Sequence, residues 1–357
     1  MNIRTSIRTN IKKFIYDSYM EKQWRDRNPY IGTHEEFEKI FDTNKPVIGI
    51  LYDIAYEHQY YQNACIDLKI NYKVIDIRPS NWIAKIKDSG CDIFLVWPTI
   101  YKPIQKQFWD ERLQILNHEL KKKIYPTFDL LWLYESKRKT RDWLLVHNLP
   151  HPKTDVFFNK TEALSFIENT NFPIVYKTDQ GATASGVIII RSKTQGLRIV
   201  KKAFSKGINL KNRGLYDRHQ GYVIFQKYIP NAKEWRMVRV GDSYICRLKH
   251  KVGDFHSGSG NVDWAKPSIE LLNKTKEISN MFDVPNINID YFETEQGDYL
   301  INEIHSVWGG PKKKKTSEFE GRYLWNEKES NWVFEKGFYY TNRTANLKLE
   351  WIKDNWL

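Results

Sequence analysis

Residues 288 to 305 read NIDYFETEQGDYLINEIH. Ile289, Tyr291 and Phe292 precede the polar run Glu295-Gln296-Gly297-Asp298, and Tyr299, Leu300 and Ile301 follow it, the pattern of two short strands joined by a turn. Asp290 and Glu303 interrupt these apolar strands. With a turn symmetric about the Gln296-Gly297 bond, all cross-strand pairs have residue numbers of equal sum. This sets Asp290 opposite Glu303 and Asn288 opposite His305, all on one face. Opposed carboxylates destabilise a hairpin unless a cation lies between them or one is protonated. A divalent metal meets that need. A turn of odd length removes it, by shifting the register by one and leaving both acids solvated.

The chain has 357 residues, 41% hydrophobic and 28% charged, enough for a sizeable core in about two or three domains. No apolar run approaches the roughly 20 residues that span a bilayer, so no transmembrane segment is expected. The start MNIRTSIRTNIKKFIYDSYM is basic, with Arg4, Arg8, Lys12 and Lys13, and lacks the continuous apolar segment of a secretory signal. Ile7, Ile11 and Ile15 recur at the spacing of a packed helix; a transit peptide or a membrane-surface helix are the other readings. Cys65, Cys91 and Cys246 are isolated and odd in number, which argues against a disulfide framework or a zinc site and suits a reducing, cytoplasmic setting. A formal net charge of +13 implies an acidic partner. The 13 tryptophans form no basic-aromatic repeat and no RNA-binding motif is present, so nucleic acid is not expected.

From residue 46 strand and helix patterns alternate. The apolar runs 47–51, 72–77 and 92–97, with helix-length segments between them, imply a parallel α/β domain over residues 46–130, behind a basic helical extension over 1–45. A helix within 136–148, a strand near 155–158, a helix over 162–168 and the strands PIVYK (173–177) and GVIIIRS (186–192) make a unit over 131–225. The strands at 222–226, 235–239 and 243–248, a helix over 267–282 and the acidic hairpin make another over 226–311. Residues 312–357 read as a basic, Trp-rich tail. The whole is an α/β (α+β) chain. The PKKKK run at 311–315 reads as a solvated loop, or as a localisation or phosphate-binding patch.

Lys177 ends an apolar strand and precedes Gln180-Gly181-Ala182-Thr183-Ala184-Ser185-Gly186. An ammonium beside a loop of small residues suits a triphosphate, because small residues let backbone donors approach the phosphates. A hairpin loop with an exposed lysine has the same look. The loop matches neither GxxxxGK[ST] nor GxGxxG.

Order along the chain adds to this. Lys137 at a helix start, Lys177 before its loop, the strand VIFQKYIP (223–230), Arg236 and the acidic hairpin follow one another. Over residues 130–310 this order resembles the ATP-grasp superfamily, and within it the ribosomal-protein glutamate ligases and glutathione synthetase-like ligases. The resemblance implies an ATP-grasp fold behind the α/β domain, with ATP and Mg2+, or Mn2+, as cofactors. It implies that Lys137 and Lys177 hold the phosphates and that Gly181, Ala182, Thr183, Ser185 and Gly186 belong to a lid. Gln226, Lys227, Tyr228 and Ile229 would border adenine. Arg236 and Lys177 would be the catalytic cations, and Asp290, Glu303 and His305 the metal ligands. Arg236, Lys249 and His256 would face the substrate.

The sequence departs from that family at three places. Lys227 stands where an acid is usual, His305 where asparagine is the usual third ligand, and His256 in a loop that often carries arginine. Imidazole suits manganese or zinc better than magnesium, so His305 is either a ligand or a substrate contact, with Asn288 or water then completing the metal shell. The resemblance implies an ATP-dependent carboxylate-amine ligase working through an acyl phosphate on an acidic small molecule, peptide or glycan. A kinase on the same scaffold and a non-enzymatic basic binding protein are the alternatives.

Overall fold

The computed structural model describes residues 37–100, 102–181, 186–209, 218–251, 253, 262–308, 317–339 and 342–357. The helix expected around Ile7, Ile11 and Ile15, the lid residues Ala182, Thr183 and Ser185, His256 and the PKKKK run lie outside the described residues.

The apolar runs of the first unit build a five-stranded sheet of β1 (Glu38–Lys39), β2 (Ile48–Leu51), β3 (Tyr72–Ile75), β4 (Ile93–Leu95) and β5 (Lys123–Tyr125), in the order β1-β3-β2-β4-β5. Strands β2 to β5 are parallel and β1 joins the edge antiparallel. The runs lack alternation because both faces are covered. Helix α1 (Gln59–Leu68) packs Tyr61, Ala64 and Cys65 against Ile48 and Ile50 on one side. Helices α2 (Trp82–Asp88) and α3 (Pro103–Gln114) pack Trp82, Ile86, Trp109 and Leu113 against Leu51 and Phe94 on the other. Gly49 permits the close approach of Phe94, whose ring would lie 2.4 Å from an added Cβ.

Two short helices, α4 (Phe128–Leu133) and α5 (Lys137–Val146), lead into a four-stranded antiparallel sheet ordered β6-β11-β7-β8. Its strands are β6 (Thr154–Phe157), β7 (Ile174–Lys177), β8 (Val187–Ile190) and β11 (Val223–Lys227). Helices α6 (Lys160–Asn169) and α7 (Lys193–Ala203) bury Ala163, Ile167, Val200 and Ala203 on it. The small pair β9 (Ile208–Asn209) and β10 (Arg218–His219) lies between α7 and β11 in sequence.

The largest sheet has seven antiparallel strands, β16-β15-β12-β13-β17-β18 with β14 also on β13. They are β12 (Lys233–Val240), β13 (Ser243–Lys249), β14 (Val262–Trp264), β15 (Asn286–Glu293), β16 (Tyr299–His305), β17 (Gly321–Asn326) and β18 (Asn331–Lys336). Alternate residues of β12 and β15, Trp235, Met237, Ile287, Ile289 and Tyr291, pack on helix α8 (Ile269–Ser279) and on Leu130, Leu133 and Leu144. The residues between them, including Arg236, Asn288 and Asp290, are thereby turned to the opposite face. The final helix, α9 (Asn342–Trp356), places Ala345, Leu349 and Ile352 in the core of the first sheet beside α1.

Asp290 does stand opposite Glu303, but by a different route from a symmetric turn. Near the turn the pairs are Glu293 with Tyr299, Phe292 with Leu300 and Tyr291 with Ile301, one residue out of the symmetric register. The loop 294–298 is therefore odd in length, with Gly297 in the left-handed region at φ 89°. Asn302 then bulges out of the ladder, and beyond it Asp290 pairs with Glu303, Ile289 with Ile304 and Asn288 with His305. The bulge keeps Ile301 and Ile304 in the core while Glu303 and His305 turn to the other face.

Candidate active site

Three strands meet at Asp290. Arg236 lies directly across from it on β12 and holds it bidentately, Nε and Nη2 donating to the two carboxylate oxygens at 2.9 Å each. Lys249, at the end of β13, donates to the same carboxylate and to Glu234. Asp290 is fully buried. Burial opposes its ionisation, but Arg236 and Lys249 outweigh burial and hold its carboxyl well below the usual range.

Glu303 is also held low, because Lys137, His305 and Lys177 together outweigh the effect of burial. Lys137 Nζ is 3.7 Å from Glu303, and it donates to the carbonyl oxygens of Gly181 at 3.2 Å and Asp179 at 3.4 Å. Lys177 Nζ donates to Asn302 Oδ1 at 2.8 Å. Burial pushes the Lys177 ammonium down to about 8, with Glu303 partly offsetting it.

His305 lies between the two acids. Its Nε2 is 3.3 Å from Glu303 and 3.6 Å from Asp290, at ion-pair distance and without a well-directed hydrogen bond to either. Burial lowers its basicity, yet the paired carboxylates prevail and raise it to about 9. The charge that opposed carboxylates require is thus built into this hairpin. The donor set also fits a divalent cation, since one ligand atom from each of Asp290, Glu303 and His305 lies within 4.8 Å of the others.

The root of the small-residue loop is anchored by Asp179. Its carboxylate accepts the Ser136 hydroxyl, the Arg138 backbone N–H at 2.9 Å and the Arg138 guanidinium at 2.9 Å. Ser136 precedes α5 without capping it by its own side chain, so Asp179 supplies the acceptor for that helix start. Arg138 in turn lies over the Tyr222 ring at 4.5 Å. On the other side of the loop root, Glu135 accepts the Gly181 N–H at 3.2 Å.

Lys137, Lys177, Arg236, Asp290, Glu303 and His305, each singled out in the sequence, therefore converge. Lys249, expected at the substrate, is buried and paired with Glu234 and Asp290. On β11, Gln226 is buried and bonds Thr154, Lys227 is exposed, and Tyr228 and Ile229 follow the strand end. Gly186 sits just before β8, its carbonyl accepting from Thr178. Sequence reasoning missed Glu234, Asn302 and Asp179. A slip of the apolar spacing, from Tyr299 and Ile301 to Ile304, marks the bulge and was the available signal for Asn302.

The model of the RimK-like ATP-grasp domain matches residues 135–320. The α-aminoadipate–LysW ligase LysX of Saccharolobus solfataricus is 23% identical over 282 residues, which cover 74% of this chain and 94% of that protein. Among solved structures, the RimK-domain ATP-grasp protein of Sphaerobacter thermophilus is similar in fold, with TM-score 0.50 and 15% identity over 72% of this chain and 89% of that one. The D-alanyl-alanine synthetase A of Vibrio cholerae is similar with TM-score 0.52 and 12% identity, over 74% and 90% of the respective chains. Since the family match spans more than half of the residues, the chain belongs to the RimK-like ATP-grasp family.

Proposed function

We propose that this chain is an ATP-dependent carboxylate-amine ligase whose active site is the cluster around Asp290 and Glu303. The observation that carries the reading is the convergence of Lys137 from the start of α5, Lys177 from the end of β7 and Arg236 from β12 on two acids opposed across adjacent strands of one sheet. The substrate carboxylate attacks the terminal phosphate of ATP to give an acyl phosphate and ADP, and an amine then displaces phosphate to form the amide. A divalent cation at Asp290, Glu303 and His305 would offset charge on the phosphates. Lys177 and Lys137 supply fixed positive charge where the phosphoryl group passes, and Arg236 stands ready beside Asp290. The segment from Gly181 to Gly186, rooted by Asp179, closes over the phosphates and keeps water from the acyl phosphate. Gln226 to Ile229 border the adenine.

The net charge of +13 favours an acidic acceptor. The name of the relative α-aminoadipate–LysW ligase, in which one joined part is an acidic amino acid, supports the same class.

Incubation with ATP, magnesium and a panel of acidic amino acids and peptides in the presence of hydroxylamine tests the proposal. A hydroxamate with ADP and free phosphate is expected, and it should vanish in Glu303→Ala. A stable phosphorylated product without hydroxamate would assign a kinase instead. Absence of thermal stabilisation by ATP with magnesium would reject both.

A further inference from the structure

The oxygen donors around Asp290 are scarce. Asp290 Oδ2 accepts from both Arg236 and Lys249 and Oδ1 from Arg236 alone, which leaves one lone pair on Oδ1 and those of Glu303 open. Next to these stands a nitrogen. His305 Nε2 faces both acids, and its side chain is only 16% exposed. Directly across the ladder from His305, on the same face as Asp290, is Asn288. Asn288 is fully buried, and neither atom of its amide finds a hydrogen-bond partner among the described residues. An unpaired buried polar group costs about 1–3 kcal/mol, so an amide left this way is explained best by a ligand it meets in the working enzyme.

We infer that the cation site of this chain is a mixed nitrogen-oxygen site. His305 Nε2 binds the metal directly with Glu303 and Asp290, and the Asn288 amide oxygen serves the same shell, as ligand or through a bound water. Magnesium takes an octahedron of hard oxygens, whereas manganese(II) accepts imidazole and lies above magnesium in affinity for such sites. The site therefore favours manganese(II) over magnesium. This inference rests on the ATP and metal reading above and adds the preference between the two ions and the ligands that set it.

Pulsed electron paramagnetic resonance on the full chain with Mn2+ and β,γ-methylene ATP reads the coordination without turnover. The expected spectrum contains a directly bonded 14N coupling that changes to the 15N pattern when histidine alone is 15N-labelled, and that is lost in His305→Asn. The labelled wild-type protein suffices, so the result does not depend on a variant folding. Mn2+ bound without histidine coupling would overturn the inference and leave the ligase reading standing. Mn2+ not bound at all would overturn both. In a competition titration, His305→Asn should lower the Mn2+ over Mg2+ preference about tenfold or more, and Asn288→Ala should weaken Mn2+ binding about tenfold. An unchanged preference in His305→Asn refutes the selectivity, and unchanged Mn2+ affinity in Asn288→Ala removes Asn288 from the site.

Discussion

The ammonium of Lys177 donates a 2.8 Å hydrogen bond to Oδ1 of Asn302, the residue that bulges from the β15-β16 ladder. One bond thus ties the last residue of β7, before the small-residue loop, to the strand that carries Glu303 and His305. Lys177 is buried and its ammonium needs a partner. Asn302→Ala should cost about 1.5–3 kcal/mol of stability at pH 7, the range for a hydrogen bond to a charged group, read as a lowered urea midpoint. Asn302→Asp should recover most of that loss.

Asp290 and Glu303 should separate in their structural consequences. Asp290 is fully buried and bound by Arg236 and Lys249, so Asp290→Asn removes the carboxylate from the half-buried Arg236, leaves the buried Lys249 with Glu234 alone, and should cost about 3 kcal/mol. Glu303 keeps 24% of its side chain exposed, and water softens the loss; Glu303→Gln should cost about half as much or less. Turnover should fall at least about a hundredfold in Glu303→Gln while its circular dichroism stays native. Wild-type rates in that folded variant would remove Glu303 from the chemistry.

Lys348, on α9, is buried with its ammonium facing the rings of Trp308 at 4.4 Å, Trp97 at 4.9 Å and Tyr61 at 5.7 Å. It has no hydrogen-bond partner among the described residues. Burial pushes it down to about 7 from its ordinary 10.5. Below pH 7 both folded and unfolded chains carry the charge, so the full cost of burying it is felt. Between 7 and 10.5 the unfolded chain binds the proton more tightly, and stability therefore rises with pH. Lys348→Met should remove this rise and stabilise the protein by about 2 kcal/mol at pH 6, the attraction of the rings offsetting the remainder of the cost. Urea midpoints of both proteins at pH 6 and pH 10 check it; parallel pH profiles would contradict the assignment.

Asp179 has the opposite sign. Burial raises a carboxyl, but the Arg138 bonds outweigh burial and hold Asp179 below its ordinary 3.8. Its stabilisation is complete above that value and disappears as pH falls through the lower folded one. Asp179→Asn should therefore be less stable than wild type at pH 5, with the gap closing towards pH 2. Hydrogen exchange should quicken at 136–139 and 178–181, where Asp179 holds the α5 start against the loop root. Exchange unchanged at both segments would show that this anchor does not hold the loop.

Much of the site was legible because its chemistry interrupts an apolar pattern. Asp290, Glu303 and His305 break strands, and Lys177 ends one before a run of small residues, so each stood out against its neighbours. Asp179 and Glu234 did not, since a lone acid in a polar loop or at a strand start looks solvated. Their roles come from Arg138 and Lys249, which reach them only once separate elements are packed together. Residues 342–357 likewise read as part of a tail, although α9 completes the core beside α1, because no local signal names a partner about 280 residues upstream in sequence.

By itself the sequence determined the alternation of strands and helices, the acidic hairpin and the order of its cations, since these follow from local periodicity and residue type. Only the tertiary structure decided that the hairpin turn is odd and that a bulge at Asn302 restores Asp290 opposite Glu303. The same is true of His305 lying between these acids and of the Asn288 amide opposite it having no hydrogen-bond partner among the described residues. A pairing register and the partners of a buried polar group are properties of the packed chain. Both depend on which distant backbone and side chains fill the space around them, and periodicity along one strand does not carry that information.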